Sequence, residues 1–469
     1  MPKRIRRRFS ACTMLVAAVA ALSTLPASAA ELEVQARPRG AMTLFGALAA
    51  AYRNNPQLNA ERARVRATDE NIPQALSGYR PQVSATADVG VQHVDGGGVT
   101  GTTAPRGFGV TATQTLFNGL RTANRTRAAE GQVFAAREAL RVLEQQILLD
   151  GVTAYMNVLR DTAILDLQRR NVEVLEEQLR QTRDRFNVGE VTRTDVAQSE
   201  SRLAAARSTA LQAQSNLSTS RAVYRRVIGL EPTALTPGAP VDRLSPRALP
   251  AAVNRGITEN PLITSAMYGV DVALLAVKIN EGALYPTLVA QANAQQRYDT
   301  SPTTQRNFSV SGVLQLTIPI YQGGTEYSLI RQSKESLGQQ RLILEQQRDQ
   351  VRANVVQAWG LLEASKAQIQ AAQAQVMASE IALNGVREEA RVGQRTTLDV
   401  LNAQQELVNA RVALVTAQRD RVVNSYTLLA ATGHLSPQAL GLGVSVYDPR
   451  VHYHQIRDAW IGVRTPDGR

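Results

Sequence analysis

Cysteine is almost missing from this sequence: among 469 residues the single thiol is Cys12. It lies ahead of an apolar stretch that marks a leader. The mature chain would therefore hold no disulfide, no thiol nucleophile and no acylated amino-terminal cysteine. Histidine is nearly as scarce. His93, His434, His452 and His454 lack the spacing and acidic partners of a zinc centre, and the last two read as part of a solvated tail. Nothing resembles a catalytic constellation, so neither an enzyme nor a cofactor is expected. Past the leader no run of eighteen apolar residues occurs, the length that a membrane-crossing helix requires. That leaves a β-barrel open, because barrel strands carry only weak, alternating signals. Positive charge is in excess, +12 overall, but it is spread along the chain. A nucleic-acid surface gathers its cations into a patch, so the charge marks solvated helix faces and no nucleic-acid partner is expected.

The leader itself is clear. Lys3, Arg4, Arg6, Arg7 and Arg8 form a basic start, and Thr13 to Leu25 is apolar. Ala27-Ser28-Ala29 then offers small residues for cleavage, after Ala29 or Ala30. The chain is therefore expected to be exported.

The remainder of the chain is written twice. Asn55-Pro56 recurs as Asn260-Pro261, and Tyr79-Arg80-Pro81 as Leu284-Tyr285-Pro286, with the prolines 205 residues apart. Leu116-Phe117-Asn118-Gly119 recurs as Ile320-Tyr321-Gln322-Gly323, Val188-Gly189 as Val392-Gly393, Asp195 as Asp399 and Gly229 as Gly433, all at an offset of 204. Ordered landmarks at one spacing mean tandem duplication. The expected organisation is a signal peptide at 1–30, a first repeat at 31–230, a proline-rich extended linker at 231–252, a second repeat at 253–435 and a tail at 436–469.

Proline is absent from Arg106 to Glu231 and from Ile320 to Ser436, which permits very long helices. Within these tracts apolar residues recur every seven positions: Val158, Leu165, Val172, Leu179 and Phe186, then Val196, Leu203, Ala210, Leu217 and Tyr224. The second half repeats the pattern with Leu362, Ile369, Val376, Leu383 and Ala390, then Leu401, Val408, Val415, Val422 and Leu429. A sustained heptad period means antiparallel coiled-coil hairpins. Companion positions such as Ala206, Ala213, Ser220 and Gln168 are small or polar, which suits helices packed on both sides in the wall of a helical barrel.

Between the helices lie strands. Val83, Ala85, Ala87, Val89 and Val91 alternate with polar residues, as do Phe308, Val310, Leu314, Leu316 and Ile318. Gly107–Leu116 and Thr287–Arg297 are weaker copies, and His93–Arg106 and Tyr298–Arg306 read as loops. Such alternation fits strands with one face on lipid and one on a lumen. Four strands cannot close a membrane barrel, for which about eight is the minimum, so several chains must contribute.

These landmarks resemble the TolC family of outer membrane factors from Leu44 to about Gly433. The signature includes Asn55-Pro56-Gln57-Leu58, Gly78-Tyr79-Arg80-Pro81-Gln82 and Val392-Gly393-Gln394-Arg395-Thr396-Thr397-Leu398-Asp399. The resemblance implies an α+β fold of mostly long α-helices. Coiled-coil hairpins form a trimeric helical barrel, continuous with a twelve-stranded outer-membrane β-barrel to which each chain gives four strands. It implies a passive exit channel, placed in outer-membrane lipid with a long periplasmic extension, for type I secretion or efflux. Partners would be a periplasmic adaptor (membrane fusion) protein and an inner-membrane ABC or RND-type transporter. The missing lipid-anchor cysteine leans toward the secretion branch. The competing reading, a soluble periplasmic coiled-coil adaptor or scaffold, calls for one hairpin rather than two.

The candidate site is at the hairpin turns, Gly189 and Gly393. Asp195 and Asp399 follow them, and two readings stay open. Thr192, Thr194, Thr396 or Thr397 and the aspartates are good helix caps. Alternatively, one Asp399 per chain makes a carboxylate ring at the periplasmic mouth. The resemblance supports the ring, but its second position is here Asn402. Arg395, Asp195 and Thr194 match residues that tie neighbouring hairpins shut, whereas the tyrosine partner is replaced by Ala390. Tyr79, Phe108, Phe117, Tyr285, Phe308 and Tyr321 fall at or near strand ends, as membrane-interface aromatics do.

Overall fold

A computed structural model describes residues 42–96, 99–301, 304–466 and 468; the leader expected at 1–30, with Cys12, lies outside them. The first half opens with three helices, α1 (Leu44–Asn54), α2 (Pro56–Asp69) and α3 (Asn71–Leu76). Strands β1 (Gln82–Val89), β2 (Gln92–Gly96), β3 (Val99–Thr103) and β4 (Arg106–Asn118) come next, then α4 (Arg121–Asn187) and α5 (Arg193–Ile228). The second half repeats this as α6 (Leu249–Glu259), α7 (Pro261–Glu281), β5 (Thr287–Ser301), β6 (Thr304–Thr317), α8 (Thr325–Arg391) and α9 (Thr397–Ala431). A last helix, α10 (Pro449–Ile456), belongs to the tail.

Helices α4 and α8 have 67 residues each, roughly 100 Å at ~1.5 Å per residue. Their heptad residues form the seams. Val158, Leu165 and Leu179 of α4 are buried, as are Leu203, Leu217 and Tyr224 of α5. Leu362 and Leu383 of α8 are buried too, as are Leu401, Val408, Val422 and Leu429 of α9. Ala206 and Ala213, the small companions, are 5% and 6% exposed. Phe186 departs from the pattern at 41% exposure, because it sits at the tip where few residues remain to cover it.

The Asn-Pro pair does the same work in both halves. The Asn55 side chain accepts from the N–H groups of Gln57 and Leu58 at 2.9 and 3.2 Å, and its amide donates to the Val227 carbonyl at 3.0 Å. Asn260 caps α7 by accepting from Leu262 N–H at 2.9 Å and donates to the Ala431 carbonyl at 3.0 Å. One asparagine thus starts a helix at the residue that proline favours and pins the end of the hairpin that returns beside it. Gly433 closes the second pin at φ +82°, with the Asn260 backbone so near that a Cβ would lie 2.8 Å from its Cα.

The main sheet has the order β1-β4-β5-β6, so the two halves join through β4 and β5. Its register aligns the apolar positions. Ala85 faces Val110, which faces Ala294, which faces Val310; Ala87, Phe108, Gln296 and Phe308 form a second such row. The intervening row is Thr86, Gly109, Gln295 and Ser309. Successive rows point to opposite faces, so one face is predominantly apolar and the other polar. The apolar face is open, with Val83, Val310 and Leu314 at 67–68% exposure.

Several expectations need correction. His93–Arg106 is not simply a loop: β2 and β3 pair as an antiparallel ribbon, since Thr100, Thr102 and Thr103 favour extended backbone. Tyr298–Arg306 is mostly strand, because β5 runs to Ser301 and β6 starts at Thr304. The linker is extended but docked. Met42 N–H donates to the Ala234 carbonyl at 2.8 Å, and Asp242 pairs with Arg421 of α9. Leu249 already begins α6. The stretch Leu249–Leu284 has the length and apolarity of a membrane span, yet Asn260-Pro261 breaks it into two helices, and α7 packs along α4 and α8. The tail is solvated only in part: His454 is exposed as expected, but His452 is 9% exposed and its Nδ1 lies 3.1 Å from Asp69 Oδ2.

Candidate gate at the hairpin tips

Both tips are built alike. Glu190 N–H donates to the Arg185 carbonyl and Gly189 N–H to the Phe186 carbonyl, each at 2.9 Å. Gln394 to Glu389 at 2.9 Å and Gly393 to Ala390 at 3.2 Å repeat the arrangement. This is a Schellman ending, which needs a left-handed residue, and Gly189 and Gly393 supply it at φ +76° and +81°.

The next helix then starts with a reciprocal cap. Thr396 Oγ1 accepts from Asp399 N–H at 3.2 Å, while Asp399 Oδ2 accepts from Thr396 N–H at 3.0 Å and from its hydroxyl at 2.9 Å. Thr192 and Asp195 form the same box at 3.3, 2.9 and 2.7 Å. Thr192 and Thr396 are the caps; Asp195 and Asp399 are the third helical residues, and Thr194 stands exposed beside them. The Thr396 N–H and hydroxyl, then the Arg395 charge, hold the Asp399 carboxyl below the ordinary aspartate value. It is ionised at neutral pH.

The fold brings some predicted residues together and separates others. An open cleft of about 850 Å³ between the tips is lined by Thr192 and Asp195 from one hairpin and Gly393, Arg395 and Thr396 from the other. Within the protomer Arg395 does not bind Asp195 or Thr194; its Nε donates to Glu389 Oε2 at 2.7 Å, one residue before Ala390. Asn402 lies farther up α9, where its Oδ1 accepts from Arg202 Nη2 of α5 at 2.7 Å. At this level Leu401 is buried among Leu175, Leu179, Leu203 and Ala206, so the first hairpin holds the second. The spacing Thr-x-x-Asp announced the capping boxes. Nothing local announced Glu389 as the partner of Arg395, or Arg202 across 200 residues.

The interface aromatics occupy two levels. Tyr79 and Tyr285 stand just before β1 and β5, and Phe117 and Tyr321 lie near the same foot of the sheet. Phe108 and Phe308 flank Gln296 toward the other end. All six are 42–73% exposed.

The family description "Outer membrane efflux protein" matches residues 47–230 and 253–434. This chain belongs to the TolC family of outer membrane efflux proteins. It is 43% identical to the outer membrane efflux protein BepC of Brucella suis biovar 1, over 98% of this chain and 99% of the relative. It is 27% identical to outer membrane protein TolC of Escherichia coli K12, over 82% and 81%. The fold matches the Campylobacter jejuni CmeC outer membrane channel with a TM-score of 0.74 at 14% identity, covering 88% of this chain and 89% of that one. The protein is therefore an outer-membrane channel of the efflux and secretion class, not an enzyme. TolC-family channels are homotrimers that work with adaptor proteins and transporters, and here each protomer gives four strands to the barrel.

Proposed function

We propose that this TolC-family protein is a passive conduit gated at its periplasmic hairpin tips. It receives cargo from an inner-membrane ABC or RND-type transporter through a periplasmic adaptor. The efflux role named for the Brucella relative, matched over nearly the whole chain, favours efflux over the secretion branch toward which the missing lipid-anchor cysteine leans. The observation that carries the gate is the pair of tips built alike, each fixed by a Schellman ending and a capping box, with an aspartate carboxylate in each box. Three symmetry-related Asp399 carboxylates would draw cations to the mouth and repel anions. Tyr79, Phe117, Tyr285 and Tyr321 would form the inner aromatic belt, and Phe108 and Phe308 the outer one. From Phe108 to Phe117 the strand spans about 30 Å, which at a tilt of roughly 40° fits the ~25 Å apolar band of outer-membrane barrels.

Asp399→Asn tests the ring, because it keeps an acceptor for the Thr396 cap and removes only the charge. In planar bilayers the variant should lose cation selectivity and cation block. Unchanged selectivity would reduce Asp399 to a helix cap.

A further inference from the structure

Past α9 the tail climbs toward the sheet along a series of specific contacts. Tyr447 N–H donates to Tyr52 Oη at 3.3 Å, and the Arg62 guanidinium lies 4.4 and 5.4 Å from the Tyr52 and Tyr447 rings. Helix α10 then crosses α2 and the first turns of α4. His452 meets buried Asp69, and Tyr453 packs on Ile72, Ala129 and Val133 beneath Arg137, whose guanidinium is 5.0 Å from the ring. At the upper end Arg80 Nη1 donates to the Ala459 carbonyl at 2.6 Å, and its guanidinium sits 4.6 Å from the Trp460 ring. Arg80 immediately precedes Pro81 and the first residue of β1. The tail delivers Trp460 to the foot of the sheet and holds it there.

At that point the chain turns its apolar side chains outward. Trp460, Ile461 and Val463 are 67%, 96% and 100% exposed. Arg80, which holds Trp460, directly follows Tyr79, itself 52% exposed, at the end of the sheet where Phe117, Tyr285 and Tyr321 are also exposed. We propose that Trp460-Ile461-Gly462-Val463 is a membrane-surface anchor seated in the phospholipid leaflet at the periplasmic face of the outer membrane. Three observations favour lipid as the occupant. The segment continues a row of aromatics at the foot of lipid-facing strands, the level where tryptophan settles in bilayers. Arg457 and Arg464 flank it, with long side chains suited to anionic headgroups while their stems stay in the apolar layer. Four residues are far too few to cross a bilayer, so the segment lies in the interface. The anchor rests only on the outer-membrane location that family membership establishes, and it is independent of the gate.

Tryptophan fluorescence tests it directly. The sequence has two tryptophans, Trp359 and Trp460, so Trp359→Phe leaves Trp460 as the sole reporter. The full-length protein is reconstituted in vesicles of phosphatidylethanolamine and phosphatidylglycerol, with or without bromine on the upper acyl carbons. The anchor predicts loss of Trp460 emission in brominated vesicles and protection from aqueous acrylamide. Adding Ile461→Asp and Val463→Asp should reverse both effects with trimer yield unchanged. Quenching by acrylamide and not by bromolipid would place the segment in water and refute the anchor. If neither quencher reaches Trp460, the segment is covered by protein, which refutes it equally. Should Trp359→Phe not assemble, the difference in emission between the wild type and Trp460→Phe reads the same quantity.

Discussion

Asn402→Asp asks whether the two hairpins of one protomer are fastened to each other near their tips. In the wild type Arg202 gives one hydrogen bond to the Asn402 side chain, joining α5 to α9. A carboxylate turns that contact into an ion pair. Arg202 is half-buried and Asn402 exposed, so the gain is that of a surface pair, about 0.5–1 kcal/mol, rather than the several kcal/mol of a buried one. This favours the closed arrangement about 2–5-fold per protomer, or about 10- to 100-fold if three hairpin pairs must part together. The added charges also repel one another across the mouth. At roughly 10 Å in water each pair costs about 0.4 kcal/mol before salt screening and less after it, so the tie prevails. Single-channel recording in planar bilayers should show a lower open probability for Asn402→Asp and a higher one for Arg202→Ala. In the double variant only repulsion remains, and opening should exceed that of Arg202→Ala alone. If Asn402→Asp increased opening while Arg202 was present, the tie would have no part in closure.

Leu401→Ala should destabilise the joined hairpins by about 2–5 kcal/mol, because it empties a fully enclosed site among four helical side chains; the trimer's thermal midpoint reads the loss. Thr396→Ala should cost about 1 kcal/mol at the start of α9, seen as faster amide exchange from Thr397 to Val400, with Thr396→Ser restoring protection. Burial raises the Glu144 carboxyl above its ordinary value, against the opposing pull of the Tyr52 hydroxyl and of Arg62 and Arg141. Between the ordinary and the raised value the folded chain keeps a proton that the unfolded chain has released. Stability therefore falls as pH rises through that window, and Glu144→Gln should flatten this part of a denaturant-midpoint profile.

The heptads and the offset of 204–205 residues made the long helices and the twofold plan legible, because packing along a coil repeats locally and leaves a period. The sheet was legible for the same reason, through alternation. The tips were half legible. Their caps follow from Thr-x-x-Asp, but Arg395 turns back to Glu389 inside its own tip, a choice between carboxylates that spacing does not decide. Contacts across long separations left no trace in the pattern: Arg202 with Asn402, Asp69 with His452, Arg80 with Trp460. In the tail, His452 is buried where its sequence context suggests solvent, since each such contact uses a single polar or aromatic residue that looks solvated when taken alone.

The sheet order places β1 and β6 at the two edges of the protomer. Each edge leaves the outward half of its peptide groups without partners, about twenty N–H and C=O groups in all, and each costs several kcal/mol in hydrocarbon. No single chain can enter the bilayer and wait for the others. Insertion and closure of the ring must be one event, completed when the β6 edge of each protomer meets the β1 edge of the next. A chain crippled at one edge, for instance by proline in the middle of β6, would then poison the wild-type chains that it joins. Co-expressed with them, it would act as a dominant inhibitor of assembly.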